Sequence, residues 1–368
     1  METDNSNEGQ QPLGFVQVRE DSLLHNLDQF AGNYQLAPVL KSNAYGHGLE
    51  GVADVVAGRK DVPFVSLAAY REVKRLRSAG NSTPALIIGY TPPEKIVSNQ
   101  FADVHFAIST LDQLTVLSEK LDHHKKFHLK IETGMHRYGV KPKNLSQAVA
   151  LIQENLHINL VGAFSHFSDA YTPDNDHTQS QIRRWNQAVA RLQESIDITY
   201  RHVAATSGHF YRDKIDANLQ RPGIGMYGIT DYAADKNLRP ALSLYSFVAG
   251  TKQVAAGGSI GYNQSFEASD DMEIAVIPIG YQEGVDRRLS NAGCVQINDS
   301  ICPIVGKVSM NATMADISDV DVAPRDPVEI YSADSNAPNS VLNQADTADT
   351  ISYDILTGIS PELERSVV

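Results

Sequence analysis

Between Leu36 and Ile229, short apolar or β-branched runs alternate eight times with polar or helix-like stretches, and few folds can accommodate that pattern. The runs are LAPVLK, VPFVSLA, ALIIGY, VHFAIS, KFHLKIET, LVGAFSHF, ITYRHVAAT and IGMYGI. Helix-like segments between them include AAYREVKRLRSAG, LDQLTVLSEKL, NLSQAVALIQEN and IRRWNQAVARLQES. In RRWNQAVARL the apolar residues recur at helical spacing, which predicts one buried face. Eight strand-like runs alternating with helices predict an α/β fold of the (β/α)8 TIM-barrel type. A doubly wound open sheet is the competing architecture. The glycines of GHG around His47 superficially resemble its phosphate loop.

After about Asp231 the texture changes. ALSLYSFVAGTKQVAAGGSIGY, EIAVIPIGY, GCVQINDSICPIVGKVSM and DPVEIYSA are apolar runs separated by Gly, Asn, Asp and Pro. Turn signals at short intervals, without long helical periods, predict a mostly β second domain. The expected division is residues 12–235 for the barrel and 236–368 for the β domain, with residues 1–11 completing the latter. DSNAPNSVLNQADTAD reads as a loop leading to one short helix.

A net charge of -13 argues against nucleic acid and anionic membrane as partners. Cys294 and Cys302 are too few for a disulfide framework, and no cysteine–histidine spacing suits zinc, so no metal is expected. The acidic, polar start METDNSNEGQQ fits neither a signal nor a transit peptide, and no apolar run approaches membrane-spanning length. A cytoplasmic protein is expected.

Polar residues fall where the barrel strands should end. Lys41 closes the first run, Arg137 follows the fifth, His166 closes the sixth and Thr206 with Ser207 closes the seventh. RPGIG, Arg221 to Gly225, is read as beginning the eighth. Barrel active sites form at the C-terminal strand ends, so these side chains should share one cavity. Small residues around Ser207 and Gly223 let backbone N–H groups approach a phosphate. A phosphorylated cofactor beside a lysine points to pyridoxal phosphate held as a Schiff base.

VLKSNAYGHG resembles the cofactor-lysine motif of alanine racemases. KIETGMHRYG, FSHFSDA, RPGIGMYG, SIGYNQSF, IPIGYQEGVDRRLSN and CPIVGKVSMNATM resemble further motifs of that family, in the family's order. The resemblance implies a homodimer whose active sites each combine one subunit's barrel with the partner's β domain. It implies that Lys41 bonds pyridoxal phosphate and is one catalytic base. Tyr262, delivered from the other subunit, would be the second base. Tyr45, Ser207, the backbone of Gly223 and Ile224, and Tyr353 would hold the phosphate. His166 would pack against the pyridine ring, and Arg221 would face its nitrogen. Arg137 and the backbone of Met310 would contact the substrate carboxylate side. Lys130 matches a lysine that relatives can carbamylate.

Racemisation removes a proton from one face of a planar carbon and returns it to the other, so two opposed bases suit it. Arginine stays charged and only donates, so Arg221 should leave the ring nitrogen unprotonated and limit side reactions. Taken singly, Tyr262 reads as a turn tyrosine, His166 as a core histidine, and Arg287 with Arg288 as a surface or entrance cluster. The joint pattern gives the first two their roles. Three departures stand out: Asn311 replaces the family's usual aspartate, Glu132 replaces a common aspartate, and the tail beyond Tyr353 matches loosely. The expected activity is alanine racemisation, supplying D-alanine for peptidoglycan. The alternatives are a racemase of serine or another amino acid, a non-catalytic pyridoxal-phosphate-binding protein, and a fold-related decarboxylase.

Overall fold

In a computed structural model of the chain, residues 12–172, 175–230 and 237–368 are described, and the expected contribution of residues 1–11 lies outside them. The chain divides into two compact units. Among the described residues, one comprises Asp21–Ala44 and Val52–Leu238; the other comprises those up to Glu20, Tyr45–Gly51 and Arg239–Val368.

The first unit is the barrel. Its strands are β1 (Gln35–Leu36), β2 (Val65–Leu67), β3 (Ala85–Ile87), β4 (Val104–Ile108), β5 (Lys125–Lys130), β6 (Ile158–Phe164), β7 (Tyr200–His202) and β8 (Leu219–Gln220). Strands β2 to β8 follow sequence order; β2 to β7 form one parallel sheet, and β1 pairs in parallel with β8. Main-chain bonds close the ring on both sides of that pair. Leu40 N–H donates to the Ser66 carbonyl (2.9 Å), and Ser66 N–H donates to Pro38 (2.7 Å). Across the other seam, Asn218 N–H reaches Arg201 (3.0 Å) and Arg221 N–H reaches Ala204 (2.9 Å). A closed ring decides against the open sheet, although Gly46, Gly48 and Gly51 do have the GxGxxG spacing.

Helices pack outside for the reason their periodicity predicted. In Asp176–Gln193, the residues Trp185, Ala188, Val189 and Leu192 are buried, one face at helical spacing. Burying each large apolar side chain there stabilises by about 1.5–3 kcal/mol. The Trp185 indole N–H donates to the Asp216 carbonyl at 3.0 Å, so its polar edge is not left unpaired.

One expected strand is corrected. IGMYGI is not the eighth strand: Ile224–Tyr227 is a 3-10 turn, and β8 lies before it at Leu219–Gln220. Pro222 has no N–H to give a ladder, and the amides of Gly223 and Gly225 donate to the Thr206 hydroxyl instead (3.2 and 3.0 Å). RPGIG therefore follows β8, which puts Arg221 at a strand end.

The second unit is mostly β. Its six-stranded sheet runs Ser300–Pro303, Cys294–Ile297, Pro327–Tyr331, Leu242–Phe247, Phe15–Val18 and Glu364–Val367. The range 12–235 assigned Phe15–Val18 to the barrel, but its hydrogen bonds belong here, antiparallel to Leu242–Phe247 and parallel to Glu364–Val367. A smaller sheet joins Gly250–Val254, Met272–Ile277 and Thr313–Asp316. The expected short helix is Val341–Thr347, and a second, Ser352–Gly358, follows it. Both cysteines are free. Among the described residues, no helix is long and apolar enough to cross a membrane.

Candidate active site

Lys41 stands directly after the hydrogen-bonded end of the first barrel strand. The chain then makes an unusual turn. Ser42, Asn43, Ala44 and Tyr45 all have left-handed φ of 51–56°, and Gly46 follows at 84°. Each such L-residue costs about 1–2 kcal/mol relative to the right-handed form, so the turn needs support from its surroundings. Glu72 supplies some. Its Oε1 accepts the Ser42 N–H at 2.8 Å, and its Oε2 accepts the N–H groups of Ala68 (2.7 Å) and Ala69 (3.1 Å). Glu72 went unnoticed in the sequence, where it resembles any first-turn helix glutamate.

Arg221 is buried after β8, and main-chain carbonyls fix its guanidinium. Its Nη1 donates to the His202 carbonyl (2.9 Å); its Nη2 donates to Ser165 (2.7 Å) and Val203 (3.0 Å) and lies 3.5 Å from His166 Nδ1. The guanidinium also packs over the Phe164 ring, 5.4 Å from its centroid. Burial pushes the Arg221 pKa down to about 9.

Four cations surround His166. Burial and then Arg221, Arg137, Lys130 and Lys41 push that imidazole down to about 3, so it is neutral. Burial, followed by Arg137 and Arg221, holds the Lys130 amine at about 8. Lys41 is lowered by burial and then by Arg137, with Glu72 opposing. The barrel mouth thus concentrates positive charge in a chain whose net charge is -13. Such a place suits an anionic ligand.

The phosphate side is built from two turns. Ser207–Lys214 and Ile224–Tyr227 are 3-10 segments, and the Thr206 hydroxyl ties the start of one to the start of the other. Gly225 is needed for that approach, since a Cβ there would lie 2.6 Å from Thr206 Cγ2. Ser207, Gly223 and Ile224 therefore occupy neighbouring turn starts, where backbone N–H groups can serve a phosphate. The Gly223 N–H itself is bonded to Thr206. These residues fit a phosphorylated cofactor beside Lys41.

The second unit groups the remaining candidates. The Tyr45 and Tyr353 rings lie 5.8 Å apart. Gly46 packs on the Leu356 carbonyl so closely that a Cβ would sit 2.1 Å from its oxygen. Arg365 Nε donates to the Gly46 carbonyl at 2.9 Å, which gives the loosely matching tail a structural task. Arg288 pairs with Asp286 (2.6 Å) and with Asp354 (2.5 Å), next to Tyr353. Tyr262 is 67% exposed and Met310 is 53% exposed, so both point away from their own core. Asn311 donates to Glu283 Oε1 at 2.7 Å, where the usual aspartate would set two carboxylates against each other.

Two family models match the chain: the N-terminal domain of alanine racemase over residues 18–231, and its C-terminal domain over residues 241–367. The alanine racemase of Carboxydothermus hydrogenoformans is 32% identical over 369 residues, covering 96% of this chain and 99% of its own length. That of Methanococcus maripaludis is 31% identical over 343 residues, covering 90% and 91%. Among solved structures, a Clostridium difficile alanine racemase superposes with a TM-score of 0.90 at 26% identity, covering 98% of this chain and 97% of its own. A histidine racemase from Leuconostoc mesenteroides superposes with a TM-score of 0.87 at 25% identity, covering 98% and 99%.

Proposed function

The chain belongs to the alanine racemase family, and from that premise we propose that it interconverts L- and D-alanine using pyridoxal phosphate and two bases. The observation that carries this reading is the group of four cations around neutral His166, with Lys41 beside it at a strand end. When bound, pyridoxal phosphate draws electrons from the substrate's α-carbon and so acidifies its proton.

The chain's own residues have distinct tasks. Lys41 holds the cofactor and moves a proton at the α-carbon of D-alanine. Its depressed pKa leaves more of the amine in the neutral form that can accept a proton. Tyr262 works on the opposite face, at L-alanine. Its exposure within its own chain suits delivery to a partner's barrel in a homodimer. Ser207, the backbone of Gly223 and Ile224, Tyr45 and Tyr353 hold the phosphate, and His166 packs against the ring. Arg221 would donate toward the ring nitrogen and has no proton-accepting atom to offer it, which would disfavour a proton there. Arg137 and the Met310 backbone orient the substrate carboxylate. Supply of D-alanine for peptidoglycan, from the cytoplasm, is the role that goes with this product.

One finding favours testing a second substrate class. The fold is shared with a histidine racemase, and a single methyl group gives a pocket little to discriminate by. The test is incubation of the cofactor-saturated protein with L-alanine in D2O, following optical rotation and α-hydrogen exchange, with serine and histidine in parallel. Racemisation of alanine ahead of the other two, with exchange, is expected. Exchange confined to serine or histidine would replace alanine as the substrate, and no exchange with any of them would end the racemase reading.

A further inference from the structure

The interior of a (β/α)8 barrel is ordinarily filled by Val, Ile and Leu. Here three of its strands carry histidine: His105 on β4, His128 on β5 and His202 on β7. All three are buried, with 4%, 0% and 0% of their surface exposed. They are joined end to end. His105 Nδ1 lies 3.0 Å from His128 Nε2, and His128 Nδ1 lies 2.8 Å from His202 Nε2. His202 Nδ1 then meets Arg221 Nη1 at 2.5 Å.

The path is purpose-built at one further position. Strand β6 lies between β5 and β7, and it carries glycine where His128 crosses it. A Cβ on Gly162 would sit 2.4 Å from His128 Nδ1. A strand interior gives up packing and backbone order by using glycine, so the absence of a side chain here serves the contact. Three apolar side chains would fill the same space without polar groups to satisfy.

The polarity of the chain follows from arginine, which has only donors. His202 Nδ1 must therefore accept, so its proton sits on Nε2 and donates to His128. By the same step His128 donates from Nε2 to His105. A second proton on any ring would set two N–H groups against each other at one of the links. All three rings are thus neutral, and all three lone pairs point toward Arg221. Aligned dipoles polarise one another and place their negative ends on the cation.

We propose that His105, His128 and His202 form a one-way chain of neutral imidazoles that holds Arg221 as a charged donor, making His105 and His128 positioning residues that act through it. The role of Arg221 toward the ring nitrogen rests on the proposed function; the chain itself does not. Burial, as the leading cause, holds His105 at about 4 and His128 and His202 well below the ordinary histidine range, in keeping with neutral rings. The other groups facing Arg221 are Phe164 and His166 on and after β6, Lys130 on β5, and Lys41 at the mouth, with Arg137 acting on His166, Lys130 and Lys41 in turn.

The test reads tautomers by histidine nitrogen NMR in the full-length, cofactor-loaded protein near neutral pH. Three buried neutral rings protonated on Nε2 are expected. A ring among the three that is protonated on Nδ1, or on both nitrogens, overturns the chain. Substitutions then test its action. His128→Leu should lower kcat by roughly tenfold with KM for alanine nearly unchanged, and His105→Leu should do so less, as for groups acting through a neighbour. Both variants should raise the share of transamination. Folded variants with unchanged kcat and an unchanged product ratio overturn the positioning role. If His128→Leu fails to fold, the wild-type tautomers and His105→Leu still decide. The tautomer reading needs no turnover, so a protein that shows the pattern without racemising counts against the proposed activity and for the chain.

Discussion

The two units treat their candidate groups in opposite ways. In the barrel, Arg221 is 3% exposed and bonded to three carbonyls, whereas in the β unit Tyr262 is 67% exposed. Burial makes the barrel groups precise and perturbs their pKa values. Exposure leaves Tyr262 positioned by its turn, where Gly261, Asn263 and Gln264 have φ of 75°, 60° and 50°. Asn291 secures that turn by donating to the Ser265 carbonyl at 3.0 Å. Side chains in the first unit are held by the fold, while Tyr262 is presented outward.

The sharpest way to break this contrast is complementation. Lys41→Ala and Tyr262→Phe should each lower racemisation by at least about 10²–10⁴-fold, while Tyr262→Phe leaves stability within about 0.5 kcal/mol because the ring is exposed. If Tyr262 serves a partner's barrel, refolding the two inactive variants together restores about a quarter of wild-type activity, since half the dimers are mixed and each has one intact site. No recovery on mixing would confine both bases to one subunit.

Arg221→Glu tests the buried side. It removes the donors from the carbonyls of Ser165, His202 and Val203 and places an anion there, at about 3–5 kcal/mol of stability. Racemisation should fall by about 10²–10³-fold and transamination should rise. Unchanged kinetics and products would remove Arg221 from its assigned place.

Acid stability separates the units next. His105 titrates at about 4 and His166 at about 3 when folded, against 6.5 for the unfolded ring. Below pH 6.5 the unfolded chain binds protons that the folded barrel refuses, so stability is lost as pH falls from 6.5 toward those values. The slope is about 1.4 kcal/mol per pH unit for each such histidine. Thermal melts across that window should drop steeply, and His105→Gln should flatten the fall. A wild-type Tm independent of pH there would show the rings to be charged or exposed. The smallest effect belongs to the exposed unit. Asn311→Asp should cost about 0.5–1 kcal/mol through repulsion with Glu283, and regain part of it at high salt. A loss that persists at high salt would point to the hydrogen bond rather than the charge.

Much of this arrangement is legible along the chain because it is local. Apolar periodicity marks which face of Asp176–Gln193 is buried, and alternation with strands implies the barrel. Lys41, His166 and Ser207 are marked as candidates by their place after apolar runs. IGMYGI misleads because an apolar run bounded by glycines looks the same whether it forms a strand or a tight turn. Glu72 is hidden because its partner, the Ser42 amide, is 30 residues away.

What the sequence alone determined is therefore the order of strands and helices, the residues at the barrel's rim and membership of the family. What only the tertiary structure decided is which distant groups meet. His128 and His202 are 74 residues apart, and their contact exists because the strands close into a ring with a glycine between them. Periodicity records the face a residue turns to; closure chooses the partner that waits there.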